Sequence, residues 1–413
     1  MDKNILKTVS KEYRTILITG TNGKTTTTSI TYNILKRNGS YVITNSTGAN
    51  LYSGIVSCFI KNYSFKKNDK EKFAVIEVDE ANLKLVTEYV KPEIICVTNL
   101  FRDQLDRYGE IYTTLNKILD GIKKTPESEL ILNGDESMLG DIELGNKKYY
   151  YGFKCSPNEE KKVSIDSDAK YCKKCKHKYS YNFVTYNHLG DYYCSFCGYK
   201  RPELNYSVDK IIKCSEQSSD VVFNGTEFLI NLPGVYNIYN ALTAFSIAKH
   251  FKVTDETIKD SFKNQISSFG RQESIKIGDK KVRIILVKNP AGFDEAINTL
   301  KFDNDKISAA FLLNDNYADG RDVSWIWDVN FEKLNDFNID SVLFSGSRLY
   351  DMALRLKIAG LDENNFIFDN NYEELVDSIK NCSTGKIYVL ATYTAMIDFR
   401  KFLYKSNIIK KLW

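Results

Sequence analysis

Uninterrupted apolar runs recur early in the chain at Thr15–Thr19, Phe73–Val78, Ile94–Thr98 and Leu130–Leu132, with intervening segments long enough for helices. Runs that are apolar at every position, rather than at alternate ones, belong to strands covered on both faces. The pattern therefore predicts a mostly parallel sheet layered with helices. Helical spacing follows the first strand over Ser29–Lys36 and returns over Tyr236–His250. Past the polar stretch Arg271–Asp279 a second alternating block begins, with strands expected at Val282–Val287, Ala309–Leu313, Val342–Phe344 and Ile387–Leu390. Between Cys155 and Cys214 helical periodicity disappears and Tyr, Lys, Cys and Asn take over, the signature of an insertion. The expected architecture is α/β in two domains: residues 1–270 with an insert over 155–214, then a smaller α/β domain over 271–413. No internal repeat or low-complexity linker interrupts it.

Composition agrees with two cores, since 413 residues of which 43% are apolar can bury both. A formal net charge of +4 gives no bulk electrostatic argument for nucleic acid or a membrane surface. No apolar run approaches the roughly 20 residues that span a bilayer. The start Met1-Asp-Lys-Asn-Ile-Leu-Lys7 lacks the apolar stretch of a signal peptide, so a soluble cytoplasmic protein is expected. Nine cysteines, four of them in two Cys-x-x-Cys pairs, suit a reducing compartment with a metal site better than a disulfide framework. With three histidines in the whole chain, mechanisms built on histidine have few candidates.

The strongest chemical signal is Thr15-Ile-Leu-Ile-Thr-Gly-Thr-Asn-Gly-Lys-Thr-Thr-Thr-Thr28, a strand running straight into a phosphate loop. Backbone N–H groups over Gly20, Thr21, Asn22, Gly23, Lys24, Thr25 and Thr26 can surround an anion at a helix N-terminus. Lys24 adds charge and Thr25 a hydroxyl for Mg²⁺, so an ATP or GTP site is expected. The general phosphate-loop pattern would place a glycine where Ile18 stands.

Cys172-Lys-Lys-Cys175 and Cys194-Ser-Phe-Cys197 are separated by 18 residues, within the spacing of zinc ribbons. Two such knuckles close a Cys₄ site with no open position, which is structural rather than catalytic. Cys155, Cys214, His177 and His188 lie near enough in sequence to substitute as ligands. Lys173, Lys174, Lys176 and Lys178 with Tyr179 and Tyr181 could form a basic-aromatic face. A ribbon placed inside a nucleotide-binding domain is more often a stabilising or docking element.

The short loop Gly20-Thr-Asn-Gly-Lys-Thr-Thr26 resembles that of Mur ligases and folylpolyglutamate synthases. Further segments are similar in the same order: Val75-Ile-Glu-Val-Asp-Glu80, Thr98-Asn-Leu-Phe-Arg-Asp-Gln-Leu-Asp-Arg-Tyr-Gly109, Leu132-Asn-Gly-Asp135, Asn231-Leu-Pro-Gly-Val-Tyr-Asn-Ile-Tyr-Asn-Ala241 and Phe269-Gly-Arg271. The resemblance implies a Mur-ligase-like central domain with Glu77 as a Mg²⁺ ligand and with Asn240 and Arg271 as nucleotide contacts. Departures narrow it. Gln104 stands where the family carries a metal-binding histidine, and Lys288-Asn-Pro290 where it has a His-containing turn. A phosphate loop beginning at residue 20 leaves no room for the domain that grips a UDP-linked substrate.

Leu312-Leu-Asn-Asp-Asn-Tyr-Ala-Asp-Gly-Arg-Asp-Val-Ser-Trp-Ile-Trp-Asp328 resembles the MurT family, the ligase subunits of lipid II isoglutaminyl synthases. By that resemblance the chain uses ATP to activate the α-carboxylate of D-glutamate in the lipid II stem peptide, and ammonia attacks the acyl phosphate. Cys58, Cys96 and Cys382 lack a recognisable nucleophile elbow, so the chain shows no glutaminase of its own. The resemblance supplies one as a partner, the GatD subunit, to whose Cys-His pair this chain lends an aspartate. Asp322 is the favoured residue, with Asp328 and Asp319 as alternatives. Action at the inner face of the membrane, without nucleic acid, follows from the same resemblance. Two rival classes stand beside it: a ligase working alone, which an amino acid would stimulate without a partner, and a ribbon ATPase module, which RNA or DNA would stimulate.

Overall fold

A computed structural model of the chain describes residues 4–45, 48–63, 70–102, 111–157, 169–265, 271–301, 303 and 305–410. They form two compact units, one carrying the described residues as far as Gln265 and the other those from Arg271 onward. The first unit contains β1 (Arg14–Thr19), β2 (Tyr41–Thr44), β3 (Lys72–Glu77), β4 (Ile94–Val97), β5 (Glu129–Asn133) and β6 (Lys148–Phe153). It continues with β7 (Ser180–Tyr186), β8 (Leu189–Tyr193), β9 (Tyr206–Cys214), β10 (Ser219–Phe223) and β11 (Thr226–Ile230). Nine of these make one sheet in the order β11-β10-β9-β6-β5-β4-β1-β3-β2. It is parallel from β2 through β9, and β9, β10 and β11 add antiparallel strands at one edge.

The strands predicted from uninterrupted apolar runs are those buried on both faces; in β4 every residue is buried, and in β1 and β3 all but the first. Helix Lys24–Arg37 leaves β1 through the loop, and helix Val235–His250 packs beside it. Every residue from Asn237 to Ala248 is buried, which explains why that helix reads as apolar nearly all round.

The stretch 155–214, expected as an insert, has two fates. Its last strand, β9, joins the large sheet beside β6, whereas β7 and β8 form a separate two-stranded hairpin next to the cysteine pairs. The isolated bridges Tyr171–Lys178 and Tyr193–Lys200 close the two knuckles.

The second unit holds β12 (Arg271–Ile277), β13 (Lys280–Leu286), β14 (Ile307–Leu312), β15 (Ile339–Ser345), β16 (Phe366–Phe368) and β17 (Lys386–Ala391). Their order is β12-β13-β17-β14-β15-β16, and all pairs but β12–β13 are parallel. Apolar clusters cover both faces of this sheet, one around Phe293, Phe311 and Phe344 and another around Val389, Met396 and Phe399. Among the described residues no helix is long and apolar enough to cross a membrane.

Candidate functional site

The phosphate loop turns at Gly20 (φ 117°) and Gly23 (φ 84°), both in the left-handed region. Space demands glycine as strictly as conformation does. A Cβ at Gly20 would collide with Thr98 Oγ1 and lie 2.9 Å from the Asn99 carbonyl oxygen, and one at Gly23 would collide with Asn240 Oδ1. The segment after β4 clamps the loop. Asn22 N donates to Asn99 Oδ1 at 2.8 Å, Thr21 N to the Asn99 carbonyl at 2.9 Å, and Thr98 Oγ1 to the Asn22 carbonyl at 2.7 Å. Phe101 N adds a bond to Thr21 Oγ1 at 3.0 Å.

Lys24 Nζ is held at the mouth of the loop, 2.8 Å from Glu80 Oε1 and 3.3 Å from the Thr21 carbonyl. The Lys24 and Glu80 side chains are only 9% and 6% exposed. An ammonium this buried needs a counter-charge, and Glu80 supplies it. The parallel register sets Glu77 beside Ile18, which brings its carboxylate to the start of the following helix. There Glu77 Oε2 accepts from Thr25 Oγ1 at 2.8 Å, and Asn50 Nδ2 donates to Glu77 Oε1 at 3.0 Å. Adjacent ligands of an octahedral Mg²⁺ with metal–oxygen distances near 2.1 Å stand about 3.0 Å apart, so Thr25 and Glu77 suit such an ion.

Of the other expected nucleotide residues, Thr26 is buried at the start of the helix. Asn240 lies against the loop, where its Oδ1 accepts from Thr27 Oγ1 at 3.4 Å. Arg271 opens β12 in the second unit; its side chain, like all of Gln104, lies outside the described residues. In Lys288-Asn-Pro290, Asn289 caps the helix Pro290–Leu300 by accepting from Gly292 N at 2.8 Å. Roles for Asn99 and Glu80 were not read from the sequence. The signal for Glu80 was its place at the end of the Glu-Val-Asp-Glu run.

The sulfurs of Cys172, Cys175, Cys194 and Cys197 all lie within 4.8 Å of one another. Cys172 and Cys197 sulfurs are 3.6 Å apart and those of Cys175 and Cys194 3.4 Å apart. Tetrahedral zinc with Zn–S bonds near 2.3 Å sets sulfurs about 3.8 Å apart, so the cluster fits that ion. Burial would raise the Cys172 thiol, but the N–H groups of Cys175 and Lys174 together with the Cys197 and Cys175 thiols bring it down to about 7. The Cys197 backbone N–H likewise lowers Cys194. Cys175 goes the other way: the His177 N–H favours its thiolate, but burial and the neighbouring sulfurs of Cys197, Cys194 and Cys172 push it up. Among the described residues this cluster includes none of Cys155, Cys214, His177 and His188. His177 stacks on Phe196 at 3.7 Å, and His188 bonds Glu136.

The loop after β14 treats its aspartates differently. Asp319 is buried and accepts from Thr394 N at 2.8 Å and from the Thr394 hydroxyl, satisfying the N-terminus of helix Tyr393–Lys405. Burial raises its pKa. Asp322 is exposed and accepts from Ser324 N at 2.8 Å, and its bonds from Ser324 hold it below the usual carboxylate range. Asp328 is half-buried.

Comparison with known proteins adds the lineage. The profile of the family described as Mur ligase middle domain matches residues 18–248, and that described as MurT ligase C-terminal matches residues 286–396. The lipid II isoglutaminyl synthase (glutamine-hydrolyzing) subunit MurT of Streptococcus pneumoniae is 40% identical over 410 residues, 99% of this chain and 91% of the relative. The subunit of the same name from Staphylococcus aureus (strain COL) is 34% identical over 365 residues, 88% of this chain and 81% of the relative. Among solved structures, a pseudomurein peptide ligase type C from Methanothermus fervidus superposes with a TM-score of 0.72. That match covers 98% of this chain and 80% of the other, and at 18% identity it speaks for the fold alone. With a Mur ligase profile over more than half of its length and a MurT relative matched almost end to end, the chain belongs to the MurT family of Mur ligases.

Proposed function

We propose that the chain is the ligase subunit of a lipid II isoglutaminyl synthase, amidating the α-carboxylate of D-glutamate in the stem peptide at the inner face of the membrane. A carboxylate oxygen attacks the γ-phosphorus of ATP and ADP leaves. Ammonia then attacks the carbonyl carbon of the acyl phosphate, loses a proton and expels phosphate. Lys24 places its ammonium against the phosphoryl group as charge moves onto the leaving oxygen. Magnesium, when bound by Thr25 and Glu77, neutralises phosphate charge. Asn99 and Thr98 keep the loop in the shape that presents its N–H groups, while Asn240 and Arg271 contribute contacts to the nucleotide. Zinc held by Cys172, Cys175, Cys194 and Cys197 is structural.

Ammonia comes from a glutaminase partner of the GatD kind, whose Cys-His pair is completed by Asp322. Its exposure and ionisation support that choice over Asp319, whose oxygens are engaged by Thr394; Asp328 is the remaining alternative. The observation that carries the whole reading is the buried set Lys24, Glu80, Thr25 and Glu77 at the end of β1, in a chain matched almost end to end by MurT relatives. Its test is amidation of purified lipid II by the chain co-purified with its glutaminase, followed by mass spectrometry of the stem peptide. Amidation that requires ATP and accepts glutamine or ammonia is expected. ATP turnover stimulated by an amino acid alone, with lipid II unchanged, would reject it.

A further inference from the structure

The hairpin β7–β8 ends in a turn that points inward. Its tip is Asn187, with φ 53°, and His188, whose side chain has no exposure. Hairpin turns ordinarily lie at the surface because their backbone polar groups need water. This one carries an imidazole into the first unit, and the nucleotide chemistry does not use it.

His188 Nε2 lies 2.8 Å from Glu136 Oε2, and the Glu136 side chain is also fully buried. Leu100 N donates to the same oxygen at 3.1 Å, and Met138 N donates to Oε1 at 3.1 Å. Leu100 sits between Asn99 and Phe101, the two residues that bond the phosphate loop at Asn22 and Thr21. The Phe101 ring stacks on Tyr186 at 5.7 Å and packs against His188 at 4.9 Å. A second path leaves the same hairpin. Thr185 Oγ1 is 2.7 Å from Tyr239 Oη, and Tyr239 precedes Asn240, the residue that faces Gly23 from the other side. Burying a carboxylate and an imidazole is costly unless both are fully bonded, and a network that meets this condition fixes its members in one arrangement.

We propose that the ribbon hairpin is a strut for the nucleotide site, in which His188 and Glu136 are positioning residues that hold the Thr98–Phe101 clamp against the phosphate loop. The inference rests on reading Gly20–Thr26 as an ATP loop and goes beyond it by giving the insert a part in nucleotide affinity. Without His188, Glu136 is a buried carboxylate short of a partner; it draws water or shifts, and Leu100 N moves with it. Displacements of about 1 Å in a positioned group are enough to change binding and rate by one to two orders of magnitude.

The test uses the complex with its glutaminase, measuring ATP affinity, the KM for ATP, kcat and zinc content for wild type, His188→Ala and His188→Gln. His188→Ala should keep its zinc and its circular dichroism, weaken ATP binding about tenfold, and raise KM more than it lowers kcat. His188→Gln can donate to Glu136 Oε2 from nearly the place of Nε2 and should recover most of the loss. A folded, zinc-replete His188→Ala complex with wild-type ATP affinity and KM would overturn the strut. Where His188→Ala does not fold, Glu136→Gln serves instead: weakened ATP affinity supports the strut, and wild-type affinity overturns it. Failure of the nucleotide reading is distinguishable, because then wild type itself binds no ATP.

Discussion

Two loops, each following an interior parallel strand, handle their polar residues in opposite ways. After β1, Lys24 pairs with Glu80 and Thr25 with Glu77, all of them buried and all satisfied from within the first unit. After β14, Asp319 is likewise buried and satisfied by Thr394, yet Asp322 stands in solvent with Ser324 as its local partner. The C-terminal ends of parallel strands are where α/β folds place ligands. The contrast shows that position alone does not define a site: the first loop satisfies its polar side chains from within the unit, while the second turns one carboxylate outward. Asp322 is the more available of the two carboxylates, because Asp319 is already engaged by Thr394.

Lys24→Ala should leave the protein folded and lower amidation by about 10³-fold or more with glutamine and ammonia alike, because transferring phosphoryl charge loses its nearest cation. Amidation within about threefold of wild type would reject the ATP-site assignment.

A second contrast pairs two buried glutamates. Glu80 has Lys24 opposite it, whereas Glu295 in the second unit has the Asn298 amide, and burial pushes its pKa up to about 7. With the folded value above the ordinary one, the folded unit keeps a proton that the unfolded chain releases from about pH 4.5 upward. Stability therefore falls as pH rises towards 7. Glu295→Gln should flatten that slope and add on the order of 2 kcal/mol at pH 8, read by denaturant unfolding at pH 5 and pH 8. An equal effect at both values would contradict the buried-proton account.

Asp319→Ala sharpens the contrast within the acidic loop. Loss of the bonds to Thr394 should cost about 1–2 kcal/mol of stability in the same unfolding experiment. Asp322→Ala, which removes an exposed turn bond, should cost less than about 0.5 kcal/mol. Equal costs would mean that the two aspartates are not divided between fold and function.

Much of this was legible along the chain, for reasons that name its limits. Strands β1, β3, β4 and β14 are buried on both faces, so their sequences are apolar without interruption. Strands β9, β10 and β11 form the antiparallel edge, and in β9 only Ser207 and Val208 are buried, with Lys210, Ile212 and Lys213 exposed. Such a strand is hard to tell from a polar insert, so along the sequence the stretch up to Cys214 reads as one. At the site, Gly20, Gly23, Lys24 and Thr25 could be singled out because their spacing is local. Asn99 and Glu136 could not, because their partners Asn22 and His188 lie 77 and 52 residues away and no short motif links them.

Under the proposed function one loop forms the ligase site and the other lends a carboxylate to a second protein. The most direct measurement of this division is the ratio of glutamine-dependent to ammonia-dependent amidation of lipid II by the purified complex carrying Asp322→Asn. The glutamine-dependent rate should fall about a hundredfold or more while the ammonia-dependent rate and complex formation are unchanged, since only the partner's histidine loses its orienting charge. An unchanged ratio would remove Asp322 from that role, and unchanged ratios for Asp328→Asn and Asp319→Asn as well would contradict the shared site altogether.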